Sequence, residues 1–185
     1  IEDRIKQSFI FDSVMKDSIL LAAEIAAVKG DARQALEIMW YAGKFADKEG
    51  NSIVYPEHVR YAKANIEPSL LRAVLKDMTL HKLLLLLAIT RRLKYTQTAY
   101  VTTGEVEENY QIVCEEHTEN PRKHTQIWEY LKEFEKYGIL VTKKSSLGHR
   151  GNTQLISIQD VSVSELEQEV IKQLKTMQKQ STILK

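Results

Sequence analysis

The chain has 185 residues, 43% hydrophobic and 28% charged, enough to bury a core as one domain or as two small ones. Its longest apolar run, Leu83 to Ile89, is seven residues between charged flanks, far short of the ~20 a bilayer requires, so it reads as a buried helix. The single cysteine, Cys114, excludes an internal disulfide framework and fits a reducing, cytosolic compartment, where it reads as a half-buried small side chain. The first residue is Ile1, and no basic-then-apolar leader is legible as a signal or transit peptide.

In chain order, Ser18 to Val28 places Ala, Leu and Ile at helical spacing, with Ser18 available as a cap. Gly30 stops that helix, because glycine accepts the left-handed conformation of a C-terminal cap, and Asp31 caps the next. In that next helix Ala32, Ala35, Leu36, Met39, Trp40 and Ala42 to Phe45 form a wide apolar stripe. Pro56 and Pro68 each suit a helical first turn, so the segment to about Met78 reads as four or five helices. A domain boundary is expected between Ile66 and Thr79.

The second part opens with the buried helix Leu80 to Leu93, ending in Arg91, Arg92 and Lys94, cations suited to a helix C-terminus. Thr103 to His117 predicts a second helix capped by Thr103, and a short turn leads to a third, with Ile127, Leu131 and Phe134 on one stripe and Gly138 at its exit. Two β-prone runs, "ILVTKK" and "TQLISI", flank the turn "SSLGHRGN" and predict a two-stranded hairpin. Three helices and a hairpin in this order make a winged helix-turn-helix. A terminal amphipathic helix follows, with overlapping S-x-x-E boxes at Ser162/Glu165 and Ser164/Glu167, and with Leu166, Val170, Leu174 and Met177 at helical spacing. It is expected to pack on its own chain.

The net charge of +1 conceals segregation. Residues 105–119 carry six acids and no Lys or Arg, whereas residues 136–159 carry Lys136, Lys143, Lys144 and Arg150 and no acid. A winged helix presents the N-terminal end of its third helix to base edges and its hairpin to an adjacent groove or backbone. Here that helix offers Arg122, Lys123, His124, Thr125 and Gln126, and the wing offers Lys143, Lys144, His149 and Arg150. Arg and Lys neutralise phosphates or pair with guanine, and Gln126 has the amide geometry for adenine. The acidic helix, its charges uncompensated in sequence, is expected to face away from DNA. A winged domain that docks protein, or a solvated basic face, stays open at this point.

Catalytic signatures are missing. Gly43-Lys44 has Ile38 where the first glycine of G-x-x-x-x-G-K-[ST] belongs, and neither GxGxxG nor G-x-S-x-G occurs. The five histidines form no H-x-x-x-H, and Cys114 with His117 is one isolated C-x-x-H, so neither a catalytic nor a metal site is assigned.

Lys29 to Gly50, "KGDARQALEIMWYAGKFADKEG", resembles the G-D-[AV]-R-x-A-[LI] sensor-2 segment of the AAA+ lid domain in archaeal replication initiators of the Orc/Cdc type. "AGKFADKEGNSIVYPEHVRYA" is similar to the continuation of that lid, and "MTLHKLLLLLAI" resembles the opening helix of the family's winged domain. "TTGEVEENYQIVCEEH", "YLKEFEKYGIL" and "GHRGNTQLISI" follow in the order of its second helix, recognition helix and wing. The resemblance implies that Arg33 is the sensor-2 arginine, which reaches the phosphates of a nucleotide held mainly by a preceding AAA+ domain. His149 and Asn152 depart from the glycine- and arginine-richer wing tip of the family.

The reading is therefore a mainly α protein: a helical AAA+ lid over 1–78, a winged helix-turn-helix domain with a two-stranded β-hairpin wing over 79–160, and a C-terminal amphipathic helix and tail over 161–185. No Walker A, Walker B or sensor 1 precedes Ile1, so the resemblance implies the C-terminal part of a longer initiator, itself no enzyme and without a cofactor. The longer protein is expected to be an ATPase using ATP or ADP with magnesium. Expected partners are double-stranded origin DNA, a replicative helicase and other initiator copies, with no membrane and a cytoplasmic, chromosome-associated location. The competing functions are a winged-helix transcription regulator, a lid-containing signalling ATPase, and a helicase-docking module with little DNA contact.

Overall fold

The computed structural model describes residues 2–28, 30–66, 71–144 and 154–183. The backbone divides into two units: Ile1–Ser69 with Gln97–Ala99 and Gln159–Ser162, and Leu70–Thr96 with Tyr100–Ile158 and Val163–Lys185.

The first unit holds α1 (Glu2–Ser8), α2 (Lys16–Ala27), α3 (Ala32–Glu49) and α4 (Pro56–Ile66), with apolar residues three and four apart in α2, α3 and α4 and Ile5 alone buried among the described residues of α1. Leu21, Ala22, Ile25 and Ala26 of α2 are buried with Ala35, Ile38, Met39, Ala42 and Ala46 of α3 and Val59 and Ala62 of α4. The alanines keep the helix surfaces small, which lets α3 pack against both neighbours. Ala32 and Trp40 do not join this stripe: both are exposed, and the Lys44 ammonium sits 3.6 Å above the Trp40 ring.

The expected cap at Ser18 is corrected. Helix α2 begins two residues earlier, after Met15, with no side-chain cap. Ser18 is buried inside the helix and its Oγ donates to the carbonyl of Val54 at 2.8 Å, beside the parallel bridge between Val14 and Val54. The predicted stop and start are found: Gly30 has φ +65°, and Asp31 accepts from the N–H groups of Arg33 at 2.8 Å and Gln34 at 3.4 Å. Pro56 opens α4 as expected, while Pro68 lies outside the described residues.

Arg60 of α4 is the largest fully buried side chain of this unit. Its Nη2 donates to the carbonyls of Thr98 and Ala99 at 3.1 Å each, and Nη1 lies 3.6 Å from Glu57. Burial lowers its pKa to about 10, Glu57 opposing the shift, so the guanidinium stays charged at neutral pH. Ser162, one of the expected box residues, is buried and donates to Glu57 at 2.7 Å.

The second unit is built around α6 (Leu80–Thr96), following the short α5 (Leu71–Lys76). Every residue from Leu83 to Thr90 is buried, which is why this helix reads as a continuous apolar run. It packs against α7 (Thr103–Glu116) and against the terminal helix α9 (Val163–Ile183), whose Leu166, Val170 and Leu174 are buried. Helix α8 (His124–Lys136) buries Ile127, Leu131 and Phe134 and ends before Gly138 at φ +69°.

The expected two-stranded hairpin is one part of a three-stranded sheet. Strands β2 (Val141–Lys144) and β3 (Gln154–Ser157) pair antiparallel, and β3 pairs on its other edge with β1 (Val101–Thr102), giving the order β1-β3-β2. Two residues are too few to show a strand periodicity, so β1 is not legible in sequence. It also moves the cap of α7: Thr102, not Thr103, accepts from Glu105 N–H, and the Glu105 carboxylate accepts from Thr102 N–H in return. Thr103 Oγ instead donates to the carbonyl of Gln154 at 3.3 Å. Cys114 is fully buried, and burial pushes its thiol pKa up, leaving it a packing residue.

Candidate nucleic-acid interface

Residues 118–123 join α7 to α8 without regular structure, and Lys123 stands at the N-cap of α8 with no side-chain cap bond. Arg122, Lys123, His124 and Thr125 are exposed, and Gln126 is half-buried. The five predicted residues therefore cluster at one helix end, yet they are not equivalent. His124 Nδ1 is hydrogen-bonded to Glu107 of α7, and Gln126 Nε2 donates to Glu129 at 2.8 Å.

In the wing, Lys143 and Lys144 lie on β2, opposite Leu155 and Gln154. The Lys143 ammonium sits 3.7 Å over the Tyr100 ring, a cation–π contact that directs it inward, while Lys144 is exposed. His149 and Arg150 lie outside the described residues. Thr142 is tied to the end of α8, donating from N–H at 3.2 Å and Oγ at 2.9 Å to the Glu135 carboxylate, so β2 and α8 are positioned together.

The acidic helix is compensated in part. Arg92 of α6 meets Glu105 at 2.7 Å, Arg91 meets Glu116, and His124 is hydrogen-bonded to Glu107. Burial works to raise the Glu105 carboxyl, but hydrogen bonds from Arg92 and Thr102 outweigh it and hold the group below the usual carboxylate range. The cations assigned in sequence to the α6 dipole are therefore ion-pair partners, with Lys94 meeting Glu167 of α9 at 2.8 Å. Among the described residues, no group of three or more His, Cys, Asp or Glu is arranged to hold a metal ion, and no helix is long and apolar enough to cross a membrane.

In the first unit Arg33 is exposed on the first turn of α3, its backbone N–H fixed by Asp31.

Comparison with known proteins accounts for both units. The sequence profile described as "Cdc6 AAA+ ATPase-type lid domain" matches residues 1–64, and that described as "CDC6, C terminal winged helix domain" matches residues 73–168. The chain belongs to the Cdc6 family. Its relatives include the ORC1-type DNA replication protein 2 of Sulfurisphaera tokodaii, 36% identical over 88% of this chain and 41% of the relative. The ORC1-type DNA replication protein 2 of Saccharolobus solfataricus is 39% identical over 70% of this chain and 32% of its own length. The chain thus spans well under half of the curated Cdc6-family relatives it matches. Among solved structures, Cdc6p from Pyrobaculum aerophilum is 34% identical with a TM-score of 0.77, over 91% of this chain and 44% of that one. The Aeropyrum pernix ORC1 protein in complex with DNA is 27% identical with a TM-score of 0.51, over 92% and 44%. The lid and winged helix of a Cdc6-family replication initiator are therefore both present, in a mainly α chain with a small antiparallel sheet.

Sequence reading passes over two buried polar residues beneath α8, His81 and Tyr110. Their signal is a His and a Tyr on otherwise apolar helix faces, which becomes interpretable only when the two helices are side by side.

Proposed function

We propose that this chain binds double-stranded DNA at a replication origin, with the N-terminal end of α8 in the major groove and the β2–β3 wing along the neighbouring backbone or groove. The observation that carries this reading is the exposure of Arg122, Lys123 and Thr125 together at the helix end that a winged helix lays across base edges. The DNA-bound Aeropyrum pernix relative supports the same role here. Arg122 and Lys123 meet phosphate or guanine. His124 and Gln126 reach DNA by exchanging Glu107 and Glu129 for it, which makes them the contacts most sensitive to sequence and conditions. Lys144, with His149 and Arg150 further along the wing, supplies charge to the backbone, and Lys143 braces the wing against Tyr100.

Arg33 serves as the sensor-2 residue of the longer protein. An exposed guanidinium on the first turn of α3 suits a nucleotide phosphate, while this sequence contains no G-x-x-x-x-G-K-[ST] loop to hold one, so the binding loops come from elsewhere in the protein. ATP with magnesium, bound there, supplies a γ-phosphate whose hydrolysis the lid senses. ATP-dependent origin recognition and loading of a replicative helicase are the corresponding role, alongside other initiator copies on the chromosome in the cytoplasm.

The test is a duplex-DNA titration at rising salt. Replacing Lys144 and Arg150 with Ala weakens binding and flattens the slope of log K against log salt by about 0.9 for each phosphate no longer neutralised. Unchanged affinity removes the wing from the interface, and failure of the wild-type chain to bind any duplex at low salt overturns the reading. In a longer chain carrying the AAA+ domain, Arg33→Ala lowers nucleotide turnover; normal turnover refutes the sensor role.

A further inference from the structure

A polar chain crosses the apolar core of the second unit directly beneath the start of α8. Tyr110 of α7 is fully buried, so its hydroxyl has to find partners inside the protein. The backbone N–H of Arg122 donates to that hydroxyl at 3.4 Å, and His81 Nδ1 of α6 lies 2.8 Å from it. With the oxygen accepting from Arg122, the hydroxyl proton is shared between His81 Nδ1 at 2.8 Å and the neighbouring Cys114 sulfur. The imidazole then carries its own proton on Nε2, which faces the Glu119 carboxylate at 3.6 Å. This tautomer follows from the bonding pattern. Burial and the nearby Arg122 guanidinium both lower the His81 pKa, against the pull of Glu119, and keep the ring in the neutral form the chain requires.

The relay ties the C-terminal end of the α7–α8 turn to α7, Arg122 through Tyr110, while Glu119 at the other end lies near His81 without a hydrogen bond to it. The turn needs such anchoring: Thr118 has φ +58°, and α8 has no side-chain cap at Lys123. A phenylalanine at position 110 would fill the same volume without burying a hydroxyl, so packing alone gives no reason for the polar group.

We infer that the Tyr110 hydroxyl is a positioning group that holds Arg122 where it contacts DNA. This rests on the proposed reading that the start of α8 meets the duplex. Tyr110 touches no nucleic acid itself; it acts through the Arg122 backbone.

The experiment is a double-mutant cycle read by affinity for a mixed-sequence DNA duplex, using the wild-type chain, Tyr110→Phe, Arg122→Ala and the double variant. Tyr110→Phe weakens binding about fivefold in the wild-type background and by no more than about twofold when Arg122 is already Ala, because the group it positions is gone. Amide hydrogen exchange at Arg122 accelerates in Tyr110→Phe. Leu174→Ala, which destabilises the same unit from α9, serves as the control for a general loss of stability and leaves duplex affinity unchanged. If the wild-type chain binds no duplex, the DNA reading falls and this inference with it. If the wild-type chain binds and Tyr110→Phe binds equally well, the positioning role is overturned while the DNA reading stands. The positioning role is likewise overturned if the two effects add in full, or if Leu174→Ala weakens binding as much as Tyr110→Phe.

Discussion

Replacement of Arg60 tests how a fully buried guanidinium stabilises the first unit. Arg60→Ala removes two charge-assisted hydrogen bonds, from Nη2 to the carbonyls of Thr98 and Ala99 at 3.1 Å each. Bonds of this kind contribute about 1.5–3 kcal/mol apiece. The Glu57 contact at 3.6 Å involves a partly exposed carboxylate and adds at most about 1 kcal/mol. Opposing these is the desolvation that lowers the Arg60 pKa to about 10, which is relieved when the charge is removed. The long side chain also leaves a void. The net expected loss is about 3–4 kcal/mol, equivalent to a fall in melting temperature of roughly 6–16 °C for a chain of this size. Arg60→Met, which restores the apolar volume without the bonds, recovers about 1–2 kcal/mol of that loss. Thermal and urea unfolding followed by circular dichroism measure both. A loss below about 1 kcal/mol for Arg60→Ala shows that desolvation cancels the hydrogen bonds, and refutes the reasoning.

Two further predictions concern acid and helix termination. Glu105 and His81 both have folded pKa values below their unfolded ones, so each stabilises the fold above its unfolded pKa, about 4.3 and about 6.5, and loses that contribution as pH falls through the folded value. The urea midpoint of the second unit is therefore expected to fall as pH drops from 7 to 5 through His81 and again below about 4.3 through Glu105; a midpoint flat from pH 7 to 5 removes the first step. At the end of α3, Gly50 has φ +74° with open space around its Cα, so Gly50→Ala meets no clash and costs about 1 kcal/mol from backbone conformation alone. Gly50→Asn is expected to lose less, and equal stability of the alanine variant and wild type would falsify the conformational argument.

The longer helices are legible in sequence because each buries one face and so repeats its apolar residues every three or four positions. The Gly30-Asp31 boundary is legible because stop and cap chemistry are local. Capping is misread wherever a second partner lies far along the chain. Ser18 carries the right hydroxyl for a cap but is taken by Val54, thirty-six residues away, and Thr103 gives way to Thr102 once β1 pairs with β3. Charge is misread for the same reason. Glu105 and Glu116 have no cationic neighbour in their own helix, and their partners Arg92 and Arg91 come from α6.

The candidate interface divides along the same line. The residue types at the start of α8 and along β2 are written in the sequence, and their grouping follows from the order of elements. Their relative readiness for DNA is not. Glu107 and Glu129 restrain His124 and Gln126, Tyr100 draws in Lys143, and Arg122 is anchored from beneath by Tyr110.

By itself the sequence determined the helical character of the chain, the order of a helical part before a winged helix-turn-helix, and the basic residues of the winged domain. These depend on periodicity, local turn chemistry and residue type, which act over a few neighbouring positions. Only the tertiary structure decided the third strand, the partners of the acidic helix, the buried guanidinium of Arg60 and the His81–Tyr110–Arg122 relay. Each of these pairs groups from segments distant in sequence, and no local preference encodes which of many distant partners a side chain meets once the core has closed.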